Sequence, residues 1–319
     1  MSTRPQTVGL PTATIIIPTY NRPDDLGKAL ASILTQSHFP EEVIVVDDGE
    51  LPGFPLREEF ERRGMRCQFI KKDKPGLTES RNAGVAASSG EIILFLDDDV
   101  VLESEYVQEI LKAFAADTDK RVGGVGGYVT NYPHLTFARK IRWWYDRLFL
   151  LSGAHEGRVL PSGFCVDYHT TSTFLTEVTP VDFLPGCACA YRREVFDEIQ
   201  FTPGLHDYAL DEDKDFSYRV ALRWTLLSVP SARQEHYQSK TMRPQLRNVT
   251  RRYLIGRYLF FRKYVCKGLG HWFCWWYAVF GYVFYRLAMF FCLCRPGQRQ
   301  RLLGALDAVR LILVGGIEK

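Results

Sequence analysis

Four short runs of aliphatic and β-branched residues, ATIIIP (13–18), EEVIVVDDG (41–49), RCQFIKK (66–72) and EIILFL (91–96), alternate with stretches of helical pattern. Such alternation calls for an α/β domain with a largely parallel sheet, because each crossover must climb back over the sheet before the next strand can pair. Asn21 and Pro23, with Asp24 and Asp25 behind them, predict a helix reaching about Gln36. PGLTESRNAGVAASSG (75–90) reads as loop then helix, and a helix near 104–116 and a strand near 121–130 follow. Ligands of open parallel sheets sit beyond the carboxyl ends of the strands. Three polar clusters, PTYN (18–21), DDG (47–49) and DDD (97–99), fall at such ends and are expected on one rim.

The sharpest of these is DDD, since Ile92 to Leu96 form an apolar strand that delivers Asp97, Asp98 and Asp99 to one spot. Adjacent carboxylates repel, so they need open water or a cation. A solvated loop is one reading. The other is a divalent cation site, since carboxylate oxygens are hard ligands suited to Mg²⁺ or Mn²⁺, and such an ion binds phosphates in turn. Alternation along an extended chain points Asp97 and Asp99 one way and Asp98 the other. Phosphatases of the haloacid dehalogenase type also put Asp-x-Asp after a buried strand, but they want Thr where this chain has Val101.

Beyond residue 130 the pattern weakens. Residues 131–180 lack clear periodicity and are expected to form loops. Order resumes with VDFLPGCACAYRREVF (181–196), an acid-rich helix start in ALDEDKDFSYRVAL (209–222), a strand at TLLSVP and a polar stretch ending in His236.

The chain has 319 residues and 46% hydrophobic content, enough for a large domain with an appendage, which excludes disordered and fibrous classes. Its net charge of +3 hides a division: residues 243–319 carry 14 Lys and Arg against two acids, Asp307 and Glu318, whereas residues 1–242 carry 26 bases against 35 acids. The change of sign marks a boundary near 240. The eight cysteines are scattered, and the two Cys-x-Cys pairs lack the second half of a zinc site, so reduced thiols are expected. MSTRPQTVGLPTAT at the start has no apolar core of secretory length, and a signal peptide is not expected.

The runs TIIIPTYNR, VIVVDDG and PGLTESRNAGVAASSGEIILFLDDDV, followed by PGCACAYRREVF and DEDKDFSYRV, resemble the family 2 inverting glycosyltransferases over roughly residues 12–240. The resemblance implies a GT-A fold, with a nucleotide-sugar half at 12–130 and an acceptor half at 131–242. It also implies transfer of a sugar from a nucleotide-diphosphate donor, UDP- or dTDP-type favoured, to a hydroxyl of a glycan or lipid-linked acceptor. Such a step belongs to cell-surface polysaccharide or glycolipid synthesis. A catalytically degenerate nucleotide- or glycan-binding relative is the alternative.

On the matching positions, Pro18, Thr19, Tyr20, Asn21 and Asp48 would contact the nucleoside and Arg81 the diphosphate. Asp97 would serve the ribose or base side, and Asp98, ranked lower with Asp47, would support it. Asp99 and His236 would hold Mg²⁺ or Mn²⁺. Gly186 would lie beside the acceptor; relatives usually read Gly-Gly-Asn or Gly-Cys-Asn here, whereas this chain continues with Cys187, Ala188 and Cys189. The family's Glu-Asp pair falls on Glu212 and Asp213. Inversion needs a base for the incoming hydroxyl, and Asp213 is assigned to it, with Asp211, Glu212 and Asp215 as rivals.

In the 243–319 tail, VTRRYLIGRYLFFRKYV (249–265) mixes bases with aromatic residues, and HWFCWWYAVFGYVFYRLAMFFCLC (271–294) is nearly uncharged. Arg286 interrupts the apolar run, and Trp and Tyr favour the membrane interface. An interfacial helix is therefore expected, with a true span or a buried packing helix as alternatives. RQRLLGALDAVRLILVGG (298–315) predicts a further helix. The tail's charge points to an anionic membrane surface on the cytoplasmic face, and nucleic acid is not expected. Residues 1–11 are expected to be disordered.

Overall fold

The structure is a computed structural model and describes residues 9–132, 136–168, 175–203, 212–237, 245–293 and 296–317. In chain order its elements begin β1 Ala13–Thr19, α1 Pro23–Ile33, β2 Glu42–Asp47, α2 Arg57–Arg62, β3 Arg66–Lys71, α3 Leu77–Ala87 and β4 Ile92–Leu96. They continue with β5 Val100–Leu102, α4 Tyr106–Ala115, β6 Val122–Val129, α5 Phe137–Leu148, β7 Thr179–Val181, β8 Ala188–Arg192 and α6 Val195–Glu198. Last come α7 Glu212–Ala221, β9 Thr225–His236, α8 Leu246–Phe260 with a π-helical turn Phe261–Val265, α9 Leu269–Leu293 and α10 Pro296–Leu313. The described residues divide into two compact units: 9–132, 175–203 and 216–237 in the first, 136–168, 212–215, 245–293 and 296–317 in the second.

The first unit is a mixed sheet in the order β3-β2-β1-β4-β8-β6-β9-β5, with β7 beside β9. β3, β2, β1 and β4 are parallel, β8 is antiparallel to both β4 and β6, β9 runs parallel to β6, and β5 is antiparallel to β9. Every residue of β1, β2 and β4 is buried, the mark of strands covered on both faces. One face packs on Leu26, Leu30 and Ile33 of α1 and Val107, Ile110 and Phe114 of α4, the other on Phe196 and Phe216. Gly84 of α3 lets that helix approach β1, since a Cβ there would collide with the Ile16 side chain.

The second unit is helical. Trp275, Ala278, Val279 and Tyr282 of α9 are buried, as are Leu254 and Ile255 of α8 and Ala305 and Ala308 of α10. Phe164 stacks on Trp275, and Tyr145 and Phe149 at the end of α5 pack on Tyr285 and Tyr277 of α9. Among the described residues no helix is long and apolar enough to cross a membrane. The seven described cysteines form no disulfide with one another.

Several expectations are corrected. Residues 131–180 are not all loop, because α5 lies there. Its Phe137, Ile141, Trp144 and Leu148 recur at helical spacing between charged residues. The polar stretch ending at His236 is strand, a continuation of β9 whose end pairs with β5. α1 stops at Ile33, short of Gln36, and Asn21 does not cap it. The 1–11 segment falls mostly outside the described residues, as do 209–211 of the acid-rich helix start.

Candidate functional site

Because β1, β2 and β4 are parallel, their carboxyl ends open on one rim, with Thr19 in register with Asp47 and Asp97 directly following β4. The antiparallel pairing of Val100 with His236 carries the imidazole to the same place. A cleft of about 330 Å³ results. Pro18, Thr19, Tyr20, Asp48, Asp97, Asp98, Asp99 and His236 line it, joined by Arg22 and by Pro75, Gly76 and Leu77 at the start of α3.

Within it the three aspartates are held differently. Asp98 is buried and accepts from Thr19 Oγ1 (2.8 Å) and Arg22 Nη1 (3.0 Å), which fixes its carboxylate toward β1. Arg22 Nη1 also stands 3.8 Å from Asp99 Oδ2. The other Asp99 oxygen lies 3.1 Å from His236 Nε2. Asp97 pairs with Arg81 Nη2 at 3.4 Å, and its main-chain N–H donates to the Cys187 carbonyl. Arg81 is itself buried, donates to the Gly186 carbonyl and lies over the rings of Phe95 and Phe201.

Burial pushes the Asp97 carboxyl up to about 6, against the pull of Arg81 and His236, and Asp99 and Asp98 add to the rise. Burial also raises Asp98, opposed by Thr19 and Arg22. His236 is raised: its burial acts the other way, but the Asp99 hydrogen bond and the charges of Asp99 and Asp97 outweigh it. Burial is the largest cause of both aspartate shifts, ahead of the neighbouring carboxylates. One donor atom each from Asp97, Asp99 and His236 fall within 4.8 Å of one another, and His236 Nδ1 is buried without a hydrogen-bond partner among the described residues. Two carboxylates and an imidazole at that spacing fit a divalent cation of the Mg²⁺ or Mn²⁺ kind.

The remaining sequence candidates have other surroundings. Asp48 lines the cleft, but its oxygens already accept from the Gly76 N–H and Ser80 Oγ, with Lys72 at 3.0 Å. Asp47 is buried, accepting from the Gly49 and Leu51 N–H groups and from Lys71. Asn21 has φ 55°, a left-handed conformation that Asn tolerates, and accepts from the Glu50 N–H. Arg81 sits past the first turn of α3, beneath Asp97. Glu212 and Asp213 open α7 in the second unit, where Lys214 reaches Asp167 at 2.7 Å and Asp215 accepts from Tyr264. Asp211 lies outside the described residues. Sequence reasoning missed Arg22, although it is the base next to the PTYN turn.

A mixed sheet in this order, with acidic groups at the parallel strands' carboxyl rim, defines a GT-A fold. The chain belongs to Glycosyl transferase family 2, whose model matches residues 14–200. Glycosyltransferase GlyA of Streptococcus pneumoniae is 35% identical over 100 residues, 31% of this chain and 14% of that protein. An uncharacterized glycosyltransferase of Bacillus subtilis, YwdF, is 27% identical over 225 residues, 69% of this chain and 71% of that one. The first three curated relatives are matched over 14%, 20% and 32% of their own lengths. In fold the chain is similar to the mannosyltransferase PcManGT from Pyrobaculum calidifontis, solved with GDP-Man and Mn²⁺, at a TM-score of 0.56 and 15% identity over 96% of this chain and 88% of that one.

Proposed function

We propose that the protein is an inverting glycosyltransferase that moves a sugar from a nucleotide-diphosphate donor, UDP- or dTDP-linked, to a hydroxyl of a glycan or lipid-linked acceptor. The observation that carries this reading is the convergence of Asp97, Asp99 and His236 in the cleft at the strand ends. Asp99 and His236 would hold Mg²⁺ or Mn²⁺, which when bound supplies positive charge to the leaving diphosphate. Thr19 and Arg22 hold Asp98 on the β1 side of the cleft, and Arg81 orients Asp97 toward the nucleoside side. Tyr20 and Pro18 line the cleft where a base and ribose would rest. Asp213 takes the proton of the acceptor hydroxyl, leaving that oxygen free to attack the anomeric carbon. The chain works peripherally on the cytoplasmic face of the cell membrane, in polysaccharide or glycolipid synthesis, and its basic tail meets anionic lipid.

A panel of nucleotide sugars with Mn²⁺ present, scored for binding and slow hydrolysis, tests the donor half without knowledge of the acceptor. Selective binding of a uridine or thymidine diphosphate sugar is expected, and no binding to any donor in the panel overturns the reading.

A further inference from the structure

The second unit exposes two apolar stripes. On α5, Phe137, Ile141, Trp144 and Leu148 recur at helical spacing and are 56–79% exposed. On α9, Phe273, Phe280, Phe284, Leu287 and Phe291 do the same at 40–71%. The two helices pack antiparallel: Tyr145 meets Tyr285 and donates its hydroxyl to the Gly281 carbonyl, and one turn further along α5, Phe149 meets Tyr277 and Phe280. At about 100° per residue, each stripe lies roughly a quarter turn from its helix's contact line. In an antiparallel pair these two quarter turns open to the same side, and the 6.2 Å approach of Phe149 to the exposed Phe280 joins them.

Nine large apolar side chains on one face exceed what a soluble surface carries; contiguous apolar patches there rarely pass a few hundred Å², on the order of a few side chains. Charge selects the occupant. Lys140 and Arg147 flank the α5 stripe, with Arg147 over the rings of Trp143 and Trp144. The acid of α5, Asp146, is engaged by Arg142, and α9 carries no acid at all. Aromatic side chains beside bases suit an anionic bilayer interface. α9 has its opposite face, with Trp275, Ala278 and Tyr282, buried within the unit, which leaves it able to lie along a bilayer.

We infer that α5 and α9 together form one lipid-inserting face that seats the protein on an anionic membrane, so that the contact includes a helix a hundred residues before the basic tail. This deepens the membrane-bound part of the proposed function and rests on it. The test is co-sedimentation of the full chain with vesicles of phosphatidylcholine alone and with phosphatidylglycerol added, for the wild type, for Trp144→Ser/Leu148→Ser and for Phe280→Ser/Phe284→Ser. Both pairs change exposed positions, and circular dichroism with thermal unfolding checks that they fold. Each pair is expected to weaken binding to the anionic vesicles by about tenfold or more. If the α5 pair binds as the wild type does while the α9 pair fails, the joint face is overturned. If the wild type ignores both vesicles and instead forms oligomers that the same substitutions disperse, the face is a protein interface and the inference falls. Loss of donor binding in the wild type would sink the enzymatic reading and leave the vesicle result untouched.

Discussion

Asp99 is the residue on which the proposed site turns, because it faces both Arg22 and His236. Asp99→Ala is expected to remove the Mn²⁺-dependent part of donor affinity, read by titrating donor with and without the ion; a variant that keeps the wild type's Mn²⁺ dependence would exclude the cation site. Asp213→Asn is expected to lower transfer by roughly 10²–10⁴-fold while donor binding persists, since a base is needed for the acceptor alone. Arg22 has a structural and a site role at once. Its removal leaves the buried Asp98 carboxylate with Thr19 as its remaining polar support in the pair described, so Arg22→Ala should cost about 1–3 kcal/mol in denaturant unfolding. Weaker donor binding should accompany that loss, and a conservative Arg22→Lys should recover part of both.

Among the elements, α9 approaches α5 closely at Gly281. A Cβ at Gly281 would run into the ring of Phe149, which packs there on Tyr277 and Phe280. Gly281→Ala must therefore separate the two helices or force the ring off its rotamer, and a loss of about 1–3 kcal/mol is expected in thermal or denaturant unfolding. β9 shows a different dependence. It pairs parallel with β6 from Thr225 to Gln234, with shifts of register, and its last residues, Gln234 to His236, pair antiparallel with β5, so a single strand both closes the sheet and carries His236 to Asp99. That is why a polar stretch of sequence, SARQEH, belongs to a strand.

At the level of the molecule, cutting the chain after residue 242 removes α8, α9 and α10 together. Phe164 and the inner side of α5 would lose the aromatic partners they pack on, including Trp275 and Tyr285. The truncated chain is expected to bind more of a hydrophobic dye than the full chain does, and a dye signal equal to wild type would show the first 242 residues to be self-contained. The α/β class, the strands at 13–19, 42–47, 66–71 and 92–96 and the gathering of PTYN and DDD on one rim were legible in the residues themselves. Buried parallel strands advertise themselves by continuous apolar runs, and their carboxyl ends share a rim by topology alone. Tertiary structure alone decided the rest. Arg22 joins the acidic cluster because it folds back over Asp98, and Asp48 turns to α3 because Ser80 and the Gly76 N–H are there to receive it. The stripe on α5 is visible as a face only once Tyr145 and Phe149 have chosen α9 as their partner, since a local pattern records which residues are apolar but not which neighbour will cover them.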